Sequence, residues 1–264
     1  MTVDPLRVLT AGILLLACAN PSTAQQDSAI LEVQVVGNRT VFVQLPSDYE
    51  RSTKSYPVLY TLDGSSTIVT VPPLVDSLVA AGSVPEMILV AIPHRDRRHD
   101  LTPTANEQFP TSGGGQRLLR FIADELIPHV DDTYRTQQTR VLHGHSLGGL
   151  FVAYALAAAP GRFQGYIASS PTIHWDDWIV REMTARAFEQ PNWEAFLFLS
   201  VGSDDMARYV ETTGEFAGWL EANAPECLRW RYHVYEGATH ESVGFLAFVD
   251  GLIAVFTDLD ETRP

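Results

Sequence analysis

Two continuous apolar runs constrain this chain most: residues 57–62 (PVLYTL) and residues 87–93 (MILVAIP). A strand that is apolar at every position has both faces covered, as in a parallel sheet flanked by helices. Residues 139–143, 165–169, 195–201 and 229–235 are further strand candidates. Helical patterns fall between them. Residues 116–130 put Leu119, Ile122, Leu126 and Val130 on one face, with Pro128 set to kink or shorten the helix. Residues 148–159, rich in alanine and leucine, and residues 206–223 and 242–259 complete the set. Ahead of all these, residues 30–36 and 40–45 alternate around Gly37-Asn38. That pattern predicts an antiparallel hairpin, because Gly and Asn accept the positive φ such turns need. Strands alternating with helices make βαβ units. The expected fold is α/β, with a mostly parallel central sheet, an antiparallel N-terminal hairpin and helices on both faces.

The 264 residues suit one such domain, and no linker or internal repeat divides them. The expected organisation is a signal peptide over residues 1–24 and a single domain over residues 25–264. Arg7 supplies the positive start of the signal, and residues 8–18 (VLTAGILLLAC) are apolar but too short to span a bilayer. Ser22-Thr23-Ala24 then offers small residues before Gln25. Two other readings stay open: a buried N-terminal helix, and lipid attachment at Cys18 through Leu15-Leu16-Ala17-Cys18. The signal reading directs the protein to the periplasm or outside and leaves no transmembrane segment in the mature chain. Two cysteines, Cys18 and Cys227, exclude a disulfide scaffold and a Cys-based zinc site. The net charge of −14 argues against nucleic acid as a partner and disfavours anionic membrane surfaces.

The strongest chemical signal is Gly144-His145-Ser146-Leu147-Gly148-Gly149, which sits between a strand candidate and a small-residue helix. A serine on such a sharp turn takes a strained conformation that lifts its hydroxyl above the sheet. Ser146 is therefore the candidate nucleophile; the plain alternative is a glycine turn that packs helix on strand. A serine hydroxyl needs a base, and the base needs an orienting acid. His240, in Gly237-Ala238-Thr239-His240-Glu241-Ser242, follows the last strand candidate and is the candidate base. His94, His99, His129, His143, His174 and His233 read as packing or surface residues, and His145 as packed beneath the turn.

Asp204 and Asp205 both follow Gly202 at the C-terminal end of a strand, the edge where such sheets carry their sites. The spacing from Gly202 favours Asp205 as the acid, and the other aspartate would cap the helix beginning at Met206. The Leu147 N–H is one candidate oxyanion donor; Gly64, in Asp63-Gly64-Ser65, is the other, unless that stretch is a plain turn. Arg97, in the basic stretch DRRHDL, would hold an anionic group of a substrate or else pair with Asp100 and pin its loop. Trp175, with Trp178, would wall an acyl or aryl pocket or serve as ordinary packing.

The stretches VQLPSDY, YPVLYTLDG, DRRHDLTPT, ELIPHVDDTYR, GHSLGGLFVAYAL, SSPTIHW and GATHESV run through most of the chain. Together they resemble the putative-esterase family of α/β hydrolases, and most of all its siderophore (enterochelin-type) esterase branch. The resemblance implies the α/β-hydrolase fold, Ser146 as nucleophile, His240 as base, and an acid on the Gly202 loop, where the family's position varies. It implies a serine carboxylic-ester hydrolase that works through an acyl-enzyme on a siderophore or another small or aryl ester. Two alternatives remain: an acyltransferase of the same fold, as in the mycolyltransferase relatives, and a non-catalytic binding module. The expected partner is a small-molecule ester, with no metal and no organic cofactor. The oligomeric state stays open.

Overall fold

A computed structural model of the protein describes residues 30–190 and 192–262; the expected signal peptide and Cys18 lie outside the described residues. The strands are β1 (Ile30–Val36), β2 (Arg39–Leu45), β3 (Tyr56–Leu62), β4 (Ile88–Ile92), β5 (Thr136–His145), β6 (Gly165–Ser169), β7 (Ala195–Gly202) and β8 (Leu228–Tyr235). They form one sheet in the order β1-β2-β4-β3-β5-β6-β7-β8. The pairs β1–β2 and β2–β4 are antiparallel and all others are parallel, so the N-terminal hairpin extends an otherwise parallel sheet.

The helices are α1 (Gly64–Ala80), α2 (Arg97–Leu101), α3 (Gly115–Arg120), α4 (Ile127–Thr133), α5 (Leu147–Ala158), α6 (Ile179–Phe188), α7 (Ala207–Asn223) and α8 (His240–Glu261). Every residue of β3, β4, β6 and β7 is buried, and alternate residues feed two separate cores. Val58, Tyr60, Leu142, Tyr166 and Leu197 join Leu118, Leu150, Val180 and Phe216, the layer of α3, α5, α6 and α7. Leu59, Val141, Ile167 and Phe198 join Val71, Val75, Phe248 and Leu252, the layer of α1 and α8. Among the described residues, α8 is the one helix long and apolar enough to cross a bilayer by composition. It buries Val243, Ala247, Phe248, Leu252 and Val255, so that apolarity serves the core.

Three elements depart from the sequence pattern. Residues 116–130 do not form one helix kinked at Pro128: α3 passes into a π-helical turn, Phe121–Leu126, which passes into α4. A proline donates no hydrogen bond and its ring crowds the carbonyl four residues back. The widened turn absorbs both effects ahead of Pro128 (the Ile127 N–H bonds to Ile122 rather than to residue 123). The second departure is α1, whose opening GSSTIVTVPP is β-branched and carries Pro72 and Pro73 inside the helix. Burial of Val71 and Val75 against the sheet outweighs that poor propensity. The third is α6, which is not among the expected helices although Ile179, Val180, Met183, Ala187 and Phe188 recur at helical spacing and face the core.

Candidate active site

The turn between β5 and α5 is built around Ser146, at φ 61° and ψ −118°. That region is sparsely populated for an L-residue and costs on the order of 1–3 kcal/mol. Neighbouring backbone holds it in place. The Ser146 N–H donates to the Ser169 carbonyl at 2.9 Å, and the Thr172 N–H donates to the Ser146 carbonyl at 3.3 Å. A Cβ on Gly144 would strike the Gly148 carbonyl oxygen, so the turn closes only with glycine there. At Gly148 itself the nearest atom to an added Cβ is Asp63 Oδ2 at 3.5 Å, so space does not demand glycine there.

The two expected oxyanion donors stand at helix starts. Leu147 opens α5, so its N–H has no helical carbonyl to bond. Asp63-Gly64 is not a plain turn: Asp63 takes a left-handed conformation (φ 57°) and α1 begins at Gly64. The Asp63 carbonyl accepts from Ser66 and Thr67, which leaves the N–H groups of buried Gly64 and exposed Ser65 without a helical carbonyl in the first turn. Gly64 lies so close to the end of β4 that a Cβ would stand 2.5 Å from Ile92 backbone atoms.

His240 is the first residue of α8 rather than part of the preceding loop. A capping box sets that start: Thr239 Oγ1 accepts from the Ser242 N–H at 3.3 Å, and Ser242 Oγ accepts from the Thr239 N–H at 2.9 Å. The His240 Nδ1 donates to both carboxylate oxygens of Asp205, at 3.0 and 2.9 Å. The Asp205 side chain is fully buried and also accepts from the Met206 N–H at 2.6 Å. Asp204 is exposed and does not cap α7, whose N-cap has no side-chain cap bond. Its own N–H instead donates to the Ala238 carbonyl, and Gly237 donates to Ser203 Oγ, so the loops after β7 and β8 are stitched together. The His240 ring lies 4.6 Å from that of His145, the residue before Ser146, and 4.7 Å from that of Tyr209. Burial and then the neighbouring His240 charge push His145 down to about 4, so a neutral ring packs against His240.

Ser146 and Leu147 line an open cavity of about 530 Å³ together with Arg97, Phe109, Trp175 and Tyr209. Arg97 does not pair with Asp100. Its guanidinium binds Asp63 at 2.6 and 3.0 Å and the His145 carbonyl at 3.2 Å, bracing the start of α1 against the end of β5. Asp100 is taken instead by Arg39, at 2.8 and 2.9 Å, because the hairpin brings the first residue of β2 over α2. Burial would raise the Asp100 pKa, but the Arg39 hydrogen bonds outweigh it and hold the carboxyl well below the usual carboxylate range. Trp175 is buried, with Nε1 on the Thr104 carbonyl at 3.3 Å, and acts as a pillar behind Phe109, which stacks on it at 5.6 Å. The Arg98 guanidinium covers Phe109 at 4.3 Å.

Sequence reasoning named Arg98 only as part of the DRRHDL stretch, left out Phe109, Thr172, Arg208 and Tyr209, and read His174 as a packing or surface residue; all six line the cavity. Arg98 and Arg208 make no ion pair among the described residues, and Asp176 and Asp177 line the same cavity, so charge of both signs stands near Ser146. Burial, then Arg208, pushes His174 down to about 4.

The family model described as Putative esterase matches residues 34–255. The chain belongs to the putative-esterase family. It is 35% identical over 170 residues to the ferri-bacillibactin esterase BesA of Bacillus subtilis, covering 56% of this chain and 58% of that one. It is 29% identical over 153 residues to a siderophore enterobactin esterase of Emericella nidulans, covering 48% and 50%. The chain thus spans little more than half the length of these esterases. The crystal structure of an IroE-like serine hydrolase from Shewanella oneidensis superposes with a TM-score of 0.78 at 26% identity, over 87% of this chain and 81% of that one. Family and fold therefore agree with the α/β-hydrolase expectation.

Proposed function

We propose that this esterase-family protein is a serine carboxylic-ester hydrolase that works through an acyl-enzyme. The observation that carries the reading is the buried Asp205 carboxylate bonded to His240 Nδ1, with the His240 ring packed on His145, the residue before a serine held in the strained turn conformation. An ionised carboxylate accepts only, so Nδ1 carries the hydrogen and Nε2 is left as the basic nitrogen. Ser146 Oγ attacks the ester carbonyl carbon while His240 Nε2 takes its proton. The N–H groups of Leu147 and Gly64 stabilise the developing oxyanion. His240 returns the proton to the departing alcohol, leaving an acyl ester on Ser146. Water, deprotonated by the same nitrogen, then attacks that ester and releases the acid and the serine.

The relatives named as siderophore esterases support a siderophore ester as substrate. Arg98 and Arg208 would take anionic groups of a substrate, with Asp176 and Asp177 beside them in the same lining. An exported enzyme would meet it in the periplasm or outside the cell. Fluorophosphonate labelling of the purified mature chain, read by mass spectrometry, tests the chemistry. One adduct on Ser146, absent from Ser146→Ala, is expected; a folded wild-type protein that takes no label removes the nucleophile. Chromatography of siderophore and simple aryl esters after incubation then tests the substrate, with preference for the anionic ester expected.

A further inference from the structure

The Asp205 carboxylate holds His240 at Nδ1 alone. Rotation about the Cβ–Cγ bond of His240 changes where Nε2 points, and a hydrogen bond at Nδ1 limits that rotation without fixing the plane of the ring. Something else has to set the plane of the ring. Two rings from other elements pack on it: His145, at the end of β5, at 4.6 Å, and Tyr209, in the first turn of α7, at 4.7 Å. Tyr209 is itself tied down. Its hydroxyl bonds to Thr172 Oγ1 at 3.2 Å, its ring meets His174 edge-on at 5.5 Å, and its N–H donates to the Met206 carbonyl at 2.8 Å. Thr172 in turn donates its N–H to the carbonyl of Ser146.

We infer that Tyr209 is a positioning residue that sets the plane of the His240 imidazole and couples it, through Thr172, to the residue bearing the nucleophile. The inference rests on the serine-hydrolase reading and adds to it a second route between base and nucleophile, independent of Asp205. The route runs Ser146–Thr172–Tyr209–His240. It is a steric and hydrogen-bonded brace, and no proton moves along it. Tyr209 also borders the cavity, so a role limited to binding substrate is the rival explanation. The two differ in what they change: misaligning the base lowers kcat, whereas losing a cavity wall raises KM.

The test uses the full mature chain, with labelling rate and steady-state kinetics measured on the same preparations. Wild type labelled at Ser146 establishes the reading underneath. Against it, Tyr209→Leu removes the ring. Its kcat and its labelling rate should fall about 100-fold, the cost of a misplaced catalytic group, with KM within about threefold and the melting temperature unchanged. Tyr209→Phe restores the ring and loses only the Thr172 hydrogen bond, so it should recover to within about fivefold of wild type. Tyr209→Met accompanies these, so that a folding defect in one variant does not decide the matter. If the ring-less variants label as fast as wild type, or lose only KM, Tyr209 does not position the base, while the serine reading stands. If Tyr209→Phe is as slow as Tyr209→Leu, the ring is not the device. If wild type takes no label, the reading and the inference fall together.

Discussion

At the scale of single residues, two adjacent aspartates show how much burial decides. Asp204 and Asp205 are the same chemistry one position apart, and the sequence offers only a spacing argument between them. In the folded chain one points inward to His240 Nδ1 with no exposed side-chain surface, and the other faces solvent. Asp205→Asn should lower kcat by about 10³–10⁴ with KM little changed, because the amide favours the wrong imidazole tautomer. Asp204→Asn should stay within about twofold, as exposed substitutions do. Steady-state kinetics on the two variants check this, and equal effects would reassign the acid. Ser146 and His240 were legible as candidates because each lies at a strand-to-helix junction with a local signature. Tyr209 and Thr172 were not, since a tyrosine in a helix and a threonine after a strand carry no such signature.

At the scale of elements, α2 is a five-residue helix with a structural task. Asp96 caps it through the His99 N–H at 3.0 Å. Its Arg97 then braces the Asp63–Gly64 loop against the end of β5, while Asp100, on the same short helix, takes Arg39 from the hairpin. The Arg97 side chain is 42% exposed, so its ion pair with Asp63 contributes at most about 1 kcal/mol to stability. Its effect on geometry is larger. Arg97→Met should barely shift the melting temperature yet lower kcat/KM by about tenfold or more, as the Gly64 N–H drifts from its aim. Calorimetry and kinetics on one preparation test the split; unchanged kcat/KM would make Arg97 ornamental to the site. The basic stretch was visible in the sequence, but its partner was not, because Asp63 lies 34 residues away and meets it only across the sheet edge.

At the scale of the whole molecule, the sheet buries histidines it must keep neutral. Burial, with His145 nearby, pushes His143 down to about 3, and His145 lies at about 4. In the unfolded chain both titrate at about 6.5. Below that pH the unfolded state binds protons the folded state refuses, so stability is full above about pH 6.5 and falls with acidification, each histidine contributing up to about 1.4 kcal/mol per pH unit. Asp100 acts later. Its depressed carboxyl stabilises the fold above the unfolded value of about 3.9, and that contribution is lost as the pH falls further. Melting temperature should therefore drop between pH 7 and pH 5, with about three protons taken up on unfolding, one each for His143, His145 and His174. His143→Gln should remove about one of them. A flat profile over that interval would mean that the buried imidazoles are not held neutral.

What the amino-acid order determined alone was whatever depends on neighbours in the chain. The strands came out within about three residues of their places, since a run of apolar residues says by itself that both faces are covered. The hairpin and the strained serine turn followed from local glycine chemistry. Tertiary structure decided the rest. It made a helix of the β-branched, proline-bearing α1, relaxed Pro128 through a π turn, gave Arg97 to Asp63 and Asp100 to Arg39, and chose between two aspartates. Each of those outcomes rests on burial or on a partner distant in the chain, and neither is written in a residue's immediate surroundings.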